Sequence, residues 1–250
     1  MAPRGVQKVR LDELLLARGL AESRTRARAL VLAGQVVVGE NRVDKPGTRV
    51  PADSPLRVKG PAHPFVSRGG LKLQAALDAF RLDPAGLRGL DVGASTGGFT
   101  DCLLARGAAE VIALDVGRGQ LHPRLRGDPR VRVLERFNVR ALEPRHLPGP
   151  VDFAVADLSF ISLGLALPPV LACLRPGAWL VLLVKPQFEV GRGRVGKGGI
   201  VRDEAARLEA LEGVAARARA LGLAEVGRIT SPITGADGNV EYLLGLRWPG

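Results

Sequence analysis

With 250 residues, 46% of them hydrophobic and 24% charged, the chain suits one large domain or a small module joined to a medium one, and it is too apolar for wholesale disorder. Its 32 Gly and 18 Pro follow no Gly-X-Y period, and its longest apolar runs, Leu163–Val170 and Ala178–Val184, fall short of the roughly 20 residues of a spanning helix, which excludes collagen and a helical membrane span. A formal net charge of +11, of which residues 1–60 supply +6 through 12 Lys/Arg against 6 Asp/Glu, points to a polyanionic partner gripped by an N-terminal nucleic-acid-binding module.

The N-terminal elements come first. Val9, Leu11, Leu14, Leu15 and Leu16 have helical spacing, ended by Gly19. Ser23 is a candidate N-cap for a second helix reaching Ala33 and closed by Gly34. Arg24, Arg26 and Arg28 alternate with small residues along it, while Ala27, Leu30 and Val31 form its buried side. Short β segments follow at Val36–Val38, Arg49-Val50 and Leu56–Val58, with a turn at Gly39-Glu40-Asn41-Arg42. Gly60-Pro61-Ala62-His63-Pro64 reads as a stiff connector. The expected boundaries are therefore a module over 1–60, a linker over 61–66 and a second domain over 67–250. Aromatics make up only 4% of the chain, so RNA binding would rest on arginine and shape instead of stacked bases.

Arg10-Leu11-Asp12, Gly19-Leu20, Ser23-Arg24, Ala27, Gly34-Gln35-Val36 with Val38, and Lys45-Pro46-Gly47 with Val50 together resemble the small S4 RNA-binding module. The family usually has Asn-Gly after the strand, where this chain has Gly39-Glu40-Asn41. The resemblance implies that Arg10, Arg24, Arg26 and Arg28 contact RNA phosphates.

From residue 66 strands alternate with helices. Expected strands are Gly89–Val92, Val111–Val116, Val131–Leu134, Val151–Ala156, Trp179–Val184, Ala224–Ile229 and Tyr242–Trp248; expected helices are Leu71–Phe80, Phe99–Arg106, Leu163–Leu174 and Asp203–Leu221. Continuous Val/Leu/Ile runs between helices mean strands covered on both faces, hence an α/β fold with a mostly parallel, doubly wound sheet of seven strands. The first strand runs into Asp91-Val92-Gly93-Ala94-Ser95-Thr96-Gly97-Gly98-Phe99. Glycines at a strand-to-helix turn let a ligand approach the backbone and the free N–H groups of the helix. Gly93 has its glycine partners four and five residues on, so the Gly-x-Gly-x-x-Gly pattern of nicotinamide enzymes fails.

The arrangement instead resembles the first motif of S-adenosylmethionine-dependent methyltransferases with a Rossmann-like fold. That likeness implies cofactor contacts from Asp91, Gly93, Ala94, Ser95, Thr96, Gly97, Gly98 and Phe99. It also implies ribose contacts from Asp115, with Val116 beside it, and an adenine contact from Asn138. A second glycine-rich stretch, Gly191 to Lys197, nearly spells a phosphate loop, but Gly198 stands where a magnesium-binding Ser or Thr belongs. It reads as a surface loop, with Arg192, Arg194 and Lys197 available to RNA, and Arg68 offers a further basic contact.

Lys72, Asp157, Lys185 and Glu241 sit before or at the ends of sheet strands, and ligands of open α/β sheets bind beyond the carboxyl ends. A lysine directly after five apolar strand residues is costly to desolvate unless it is used or paired. The four resemble the Lys-Asp-Lys-Glu tetrad of FtsJ-type ribose 2′-O-methyltransferases. With the phrases Ser67–Lys72, Ala156–Ser162 and Val184–Glu189 and the module in front, the whole chain resembles the TlyA family of bacterial ribosomal RNA methyltransferases, once labelled haemolysins.

The resemblance implies methylation of a cytidine ribose 2′-hydroxyl in 23S rRNA, and in 16S rRNA for some members, with Asp157 also beside the cofactor. Lys185 would act as base or hydroxyl-orienting group, Asp157 and Glu241 would orient it, and Lys72 would tune its charge and hold phosphate. No metal is expected from three scattered histidines, and Cys102 and Cys173 read as buried free thiols of a reducing compartment. No secretory signal follows Met1, so a cytosolic monomer acting on ribosomal RNA or subunits, with no membrane partner, is the expectation. The alternative is a non-catalytic RNA-binding protein with a relic methyltransferase fold. A pore-forming haemolysin lacks the amphipathic or spanning segment it would need.

Overall fold

Two compact units divide the chain between Pro64 and Phe65. The structure, a computed structural model, describes residues 8–21, 23–58, 63–235 and 238–250, and for Arg192 and Lys197 the backbone alone. The expected RNA contacts of those two side chains therefore lie outside the described residues.

In the first unit, β1 (Lys8–Arg10) leads into α1 (Leu11–Ala17) and α2 (Arg24–Leu32), followed by β2 (Val36–Val38), β3 (Asn41–Arg42), β4 (Arg49–Pro51) and β5 (Leu56–Val58). The periodicity that reads as helix from Val9 is overridden by pairing: Val9 lies opposite Val50 in an antiparallel β1–β4 ladder. Ser23 caps α2 by accepting from the Arg26 N–H at 3.1 Å. Leu11, Leu15, Ala27, Val31 and Val36 are fully buried at the centre of the unit. Each of the leucine and valine side chains contributes about 1.5–3 kcal/mol by leaving water.

The second unit has the elements α3 (Gly69–Phe80), β6 (Arg88–Val92), α4 (Gly98–Ala105), β7 (Glu110–Leu114), α5 (Pro123–Arg126), β8 (Val131–Leu134), β9 (Val151–Ala156), α6 (Leu163–Leu171), β10 (Leu174–Val184), α7 (Pro186–Glu189), α8 (Glu204–Ala220), β11 (Ala224–Thr230) and β12 (Tyr242–Arg247). Its seven strands run in the order β11-β12-β10-β9-β6-β7-β8. All neighbours from β10 to β8 are parallel, and β12 is inserted antiparallel between β10 and β11. Alternate strand residues feed two core layers. Leu90, Val92, Ile112, Leu180 and Leu182 pack with α6 and α8, while Val111, Val155, Val181 and Leu183 pack with α3 and α4.

Phe65 and Val66, read from sequence as the end of the linker, belong to this second unit. Phe65 is buried in its core, and the Val66 N–H donates to Asp101 at 2.7 Å. The helix expected over Leu163–Leu174 ends at Leu171 and passes through Pro168 and Pro169. Pro169 has no N–H to offer the Leu165 carbonyl one turn back, and Leu165 is 57% exposed. Strand β10 starts earlier than expected, at Leu174, with its pairing to β9 interrupted across Arg175-Pro176-Gly177-Ala178 before Trp179. Both cysteines are buried and free, and burial pushes the Cys102 thiol up to about 12, which leaves it inert as a nucleophile. Among the described residues no helix is long and apolar enough to cross a membrane.

Candidate active site

The strand order reverses at β6, between β7 and β9, and that is where an open α/β sheet leaves a crevice at its carboxyl edge. The chain leaves β6 through Gly93 at φ +85°, Ser95 at +48° and Gly97 at +94° before α4 starts at Gly98. A Cβ on Gly93 would fall 2.4 Å from the Asp157 carbonyl oxygen, so only glycine lets the turn lie against the end of β9. Two cavities of about 250 and 270 Å³ adjoin there, sharing Gly93, Ser95 and Asp157 as walls. The first is completed by Ser67, Arg68, Lys72, Phe99 and Gly235, among others. The second is completed by Asp115, Val116, Gln120, Ser159 and Phe160, among others.

Asp115 is fixed by two backbone donors, Ser95 N–H at 2.8 Å and Gly117 N–H at 2.7 Å. Its carboxylate thus ties the β6 turn to the β7 turn at the second cavity. Ala94, Thr96 and Gly98 also line the first cavity. Three of the expected cofactor residues are not on either wall. Gly97 packs towards Leu121 and Leu125, where a Cβ would meet Leu125 at 2.3 Å. Asn138 caps a short 3-10 turn by accepting from the Arg140 N–H at 3.0 Å, and its neighbour Val139 reaches the wall instead. Asp91 is fully buried beneath α4 and accepts from the Thr100 hydroxyl at 2.6 Å. Desolvation pushes that carboxyl up to about 7, opposed by the Thr100 hydrogen bond and helped by Asp157.

The four polar residues at the sheet edge form two lysine–carboxylate pairs. Lys185 Nζ lies 2.6 Å from Asp157 Oδ1 and donates to Ser159 Oγ at 2.9 Å. Lys72, on α3, instead donates to Glu241, just before β12, and both are buried. Gly235 closes over that carboxylate, since a Cβ there would lie 2.1 Å from Glu241 Oε1. The expectation that Glu241 orients Lys185 is thereby corrected: its partner is Lys72, because β12 passes alongside α3. Glu189 holds the far side of this region, accepting from Ser162 Oγ at 2.7 Å, Leu163 N–H at 2.8 Å and Arg217 at 3.1 Å.

Sequence reasoning missed Ser159, Phe160, Gln120 and Gly235. Phe160 is 91% exposed at φ +65°, with its ring 5.1 Å from Phe188. A loop serine and a loop phenylalanine carry no spacing signal; their relevance comes only from where the loop places them. The expected RNA-facing arginines divide into two groups. Arg10 bonds Asp12 through Nε at 3.0 Å and Nη2 at 2.9 Å, holding that carboxyl below the usual range, and Arg24 pairs with Glu13. Arg26 and Arg28 are exposed on α2, with no ion-pair partner among the described residues. Arg194 is engaged by Glu209 of α8 at 2.7 Å, whereas Arg68 is exposed at the first cavity.

A glycine turn at the switch point, a carboxylate after the second strand and an antiparallel seventh strand define a methyltransferase-type α/β domain. The FtsJ-like methyltransferase family model matches residues 65–248, and the S4 domain model matches residues 9–54. A protein of Mycobacterium tuberculosis named 16S/23S rRNA (cytidine-2′-O)-methyltransferase TlyA is 51% identical over 242 residues, covering 96% of this chain and 90% of its own. Hemolysin A of Brachyspira hyodysenteriae is 41% identical over 236 residues, covering 94% of this chain and 98% of its own. A solved structure of a Streptococcus thermophilus protein named as a hemolysin has a TM-score of 0.77 at 44% identity, covering 98% of this chain and 90% of its own. The chain belongs to the FtsJ-like methyltransferase family, and within it to the TlyA family, whose S4 domain it carries in front.

Proposed function

We propose that this chain methylates the ribose 2′-hydroxyl of a cytidine in ribosomal RNA, with S-adenosylmethionine as methyl donor. The observation that carries the reading is Lys185 Nζ, 2.6 Å from an Asp157 carboxylate that lines both cavities. A base is thus set at the edge of the crevice. The residues present fit the donor: glycine keeps the turn open, and Asp115 presents a carboxylate at the second cavity for a ribose. Gly93, Ser95, Asp115 and Val116 would hold it. When bound, S-adenosylmethionine supplies an electrophilic methyl group.

A ribose hydroxyl is a poor nucleophile, so a base must take its proton as its oxygen attacks. Lys185, once its ammonium has given a proton to solvent, receives the hydroxyl proton on the Nζ lone pair, and Asp157 holds the ammonium that results. Lys72, neutralised by Glu241, leaves the first cavity polar without adding a second free cation. Arg26 and Arg28 supply sequence-independent attraction to RNA phosphates from the S4 unit. The test is incubation of the protein with methyl-labelled S-adenosylmethionine and unmodified small subunits, large subunits or whole ribosomes, followed by mapping of the labelled nucleotide. Label on a cytidine 2′-oxygen is expected, and the particles that accept it identify the 23S and 16S substrates. Cofactor binding with no transfer to any particle would favour the relic, non-catalytic reading.

A further inference from the structure

We propose that Ser159 is a positioning residue that fixes the direction of Lys185 Nζ, an inference that rests on Lys185 receiving the 2′-hydroxyl proton. A lysine head has a flexible four-carbon stem, and an ion-pair partner without hydrogen-bond geometry restrains its distance but not its orientation. Here the loop that leaves β9 brings Asp157 Oδ1 to 2.6 Å as an ion-pair partner that makes no hydrogen bond, and Ser159 Oγ accepts from Nζ at 2.9 Å. The hydrogen bond to Ser159 is therefore the contact that sets the direction of Nζ, and it leaves the lone pair of the neutral amine free for the hydroxyl. Proton transfer needs the reacting atoms in hydrogen-bond reach, about 2.6–3.2 Å, and small misplacements are costly.

The two partners differ in what they can offer. A carboxylate holds the charged form most strongly, whereas Ser159 Oγ accepts an N–H that Nζ keeps in both its neutral and its charged form, which leaves the neutral amine's lone pair for the 2′-hydroxyl. Ser159 therefore stays bonded to Nζ both before and after the proton arrives. Asp157 also forms part of both cavity walls, while the one side-chain partner described for Ser159 is Lys185. Ser159 is itself exposed at the rim of the second cavity, so its hydroxyl supports no core packing. Its follower Phe160, at φ +65°, turns the chain immediately beyond it.

The experiment compares Ser159→Ala, Ser159→Thr and Lys185→Met in single-turnover methylation of unmodified ribosomal subunits at saturating S-adenosylmethionine. Cofactor affinity is measured by calorimetry, and RNA affinity and melting temperature are measured alongside. Loss of a hydrogen bond to a charged group predicts that Ser159→Ala slows the single-turnover rate roughly tenfold to a hundredfold. Both affinities and the melting temperature should be retained, and Ser159→Thr should restore most of the rate.

In protein labelled at lysine Cε, the signal lost in Lys185→Met identifies the residue among six lysines. Its methylene protons should be resolved in the wild type and in Ser159→Thr, and averaged in Ser159→Ala. Wild-type rates in Ser159→Ala with a silent Lys185→Met would overturn the role of Ser159 and leave that of Lys185 standing. Equal slowing of the Ala and Thr variants would overturn it too, since the hydroxyl would then not be the cause. Wild-type rates in Lys185→Met would instead overturn the proposed function, and this inference with it.

Discussion

Two lysine–carboxylate pairs of the same charge sit at one sheet edge and differ in how far their carboxylates are withdrawn from water. In the Lys72–Glu241 pair the side chains are 10% and 2% exposed, while in the Lys185–Asp157 pair they are 12% and 25% exposed. Glu241 is sealed by Gly235, and its charge depends on Lys72 for compensation. Asp157 opens on two cavities, and its lysine has a hydrogen-bond acceptor in Ser159. A sealed pair is a structural cross-link between α3 and the approach to β12; an open one can exchange a proton with something that enters. Identical residue types thus divide into support and chemistry through burial.

The comparison breaks most visibly at the lysines. Lys185→Met keeps the stem and deletes the ammonium, and loss of a general base typically costs about 10²–10⁴ in rate. Stability should fall by less than in Lys72→Met, because the Asp157 side chain is 25% exposed against 2% for Glu241, although Asp157 Oδ1 is itself buried. Lys72→Met should do the reverse in emphasis, leaving the buried Glu241 charge uncompensated at a cost of about 3–5 kcal/mol. In a domain of this size that lowers the melting temperature by about 6–20 °C. Thermal unfolding and single-turnover assays on both variants decide this, and equal melting temperatures would erase the distinction.

A smaller effect sharpens the same point. Adding Glu241→Gln to Lys72→Met removes the stranded charge, so the double variant should recover more than half of the lost stability. Adding Asp157→Asn to Lys185→Met should recover less, because Asp157 is the more exposed of the two carboxylates. A double-mutant cycle from denaturant unfolding measures both couplings. Coupling of the same size in the two pairs would mean that burial does not separate them.

Much of this edge is legible in the sequence because the informative features are local. Strand runs ending in Gly93, Asp115, Asp157 and Lys185 place those residues at one rim once the sheet is parallel. Pairing is not local. Glu241 meets a lysine 169 positions away, and the choice between Lys72 and Lys185 depends on β12 entering the sheet antiparallel beside α3. The basic residues of the first unit show the same limit: composition gives the charge, but only packing shows that Arg10 and Arg24 serve Asp12 and Glu13. Ser159 is silent for another reason, since a serine in a loop is ordinary until a lysine head is found against it.

Asp91 extends the comparison to a carboxyl buried completely without a cation. Its neighbour is the Thr100 hydroxyl, its Oδ1 has no hydrogen-bond partner, and its protonation midpoint is pushed up to about 7. In the unfolded chain an aspartate titrates near 3.9. Between these values the native state holds a proton that the unfolded state has released. Protonation therefore contributes stability that is fully present below about pH 4 and is lost as pH rises through about 7. Asp91→Asn removes the titration while keeping an acceptor for Thr100. Its amide also places a donor where Oδ1 lacks a partner, a cost of about 1–3 kcal/mol that does not vary with pH. The slope is accordingly the informative quantity. Measured without cofactor from pH 5 to 8, the melting temperature of Asp91→Asn relative to wild type should climb by several degrees, about 2–4 °C for each kcal/mol of linkage removed. Parallel curves would mean that Asp91 is already ionised at pH 5, and that a fully buried carboxylate is tolerated here on the hydrogen bonds of Thr100.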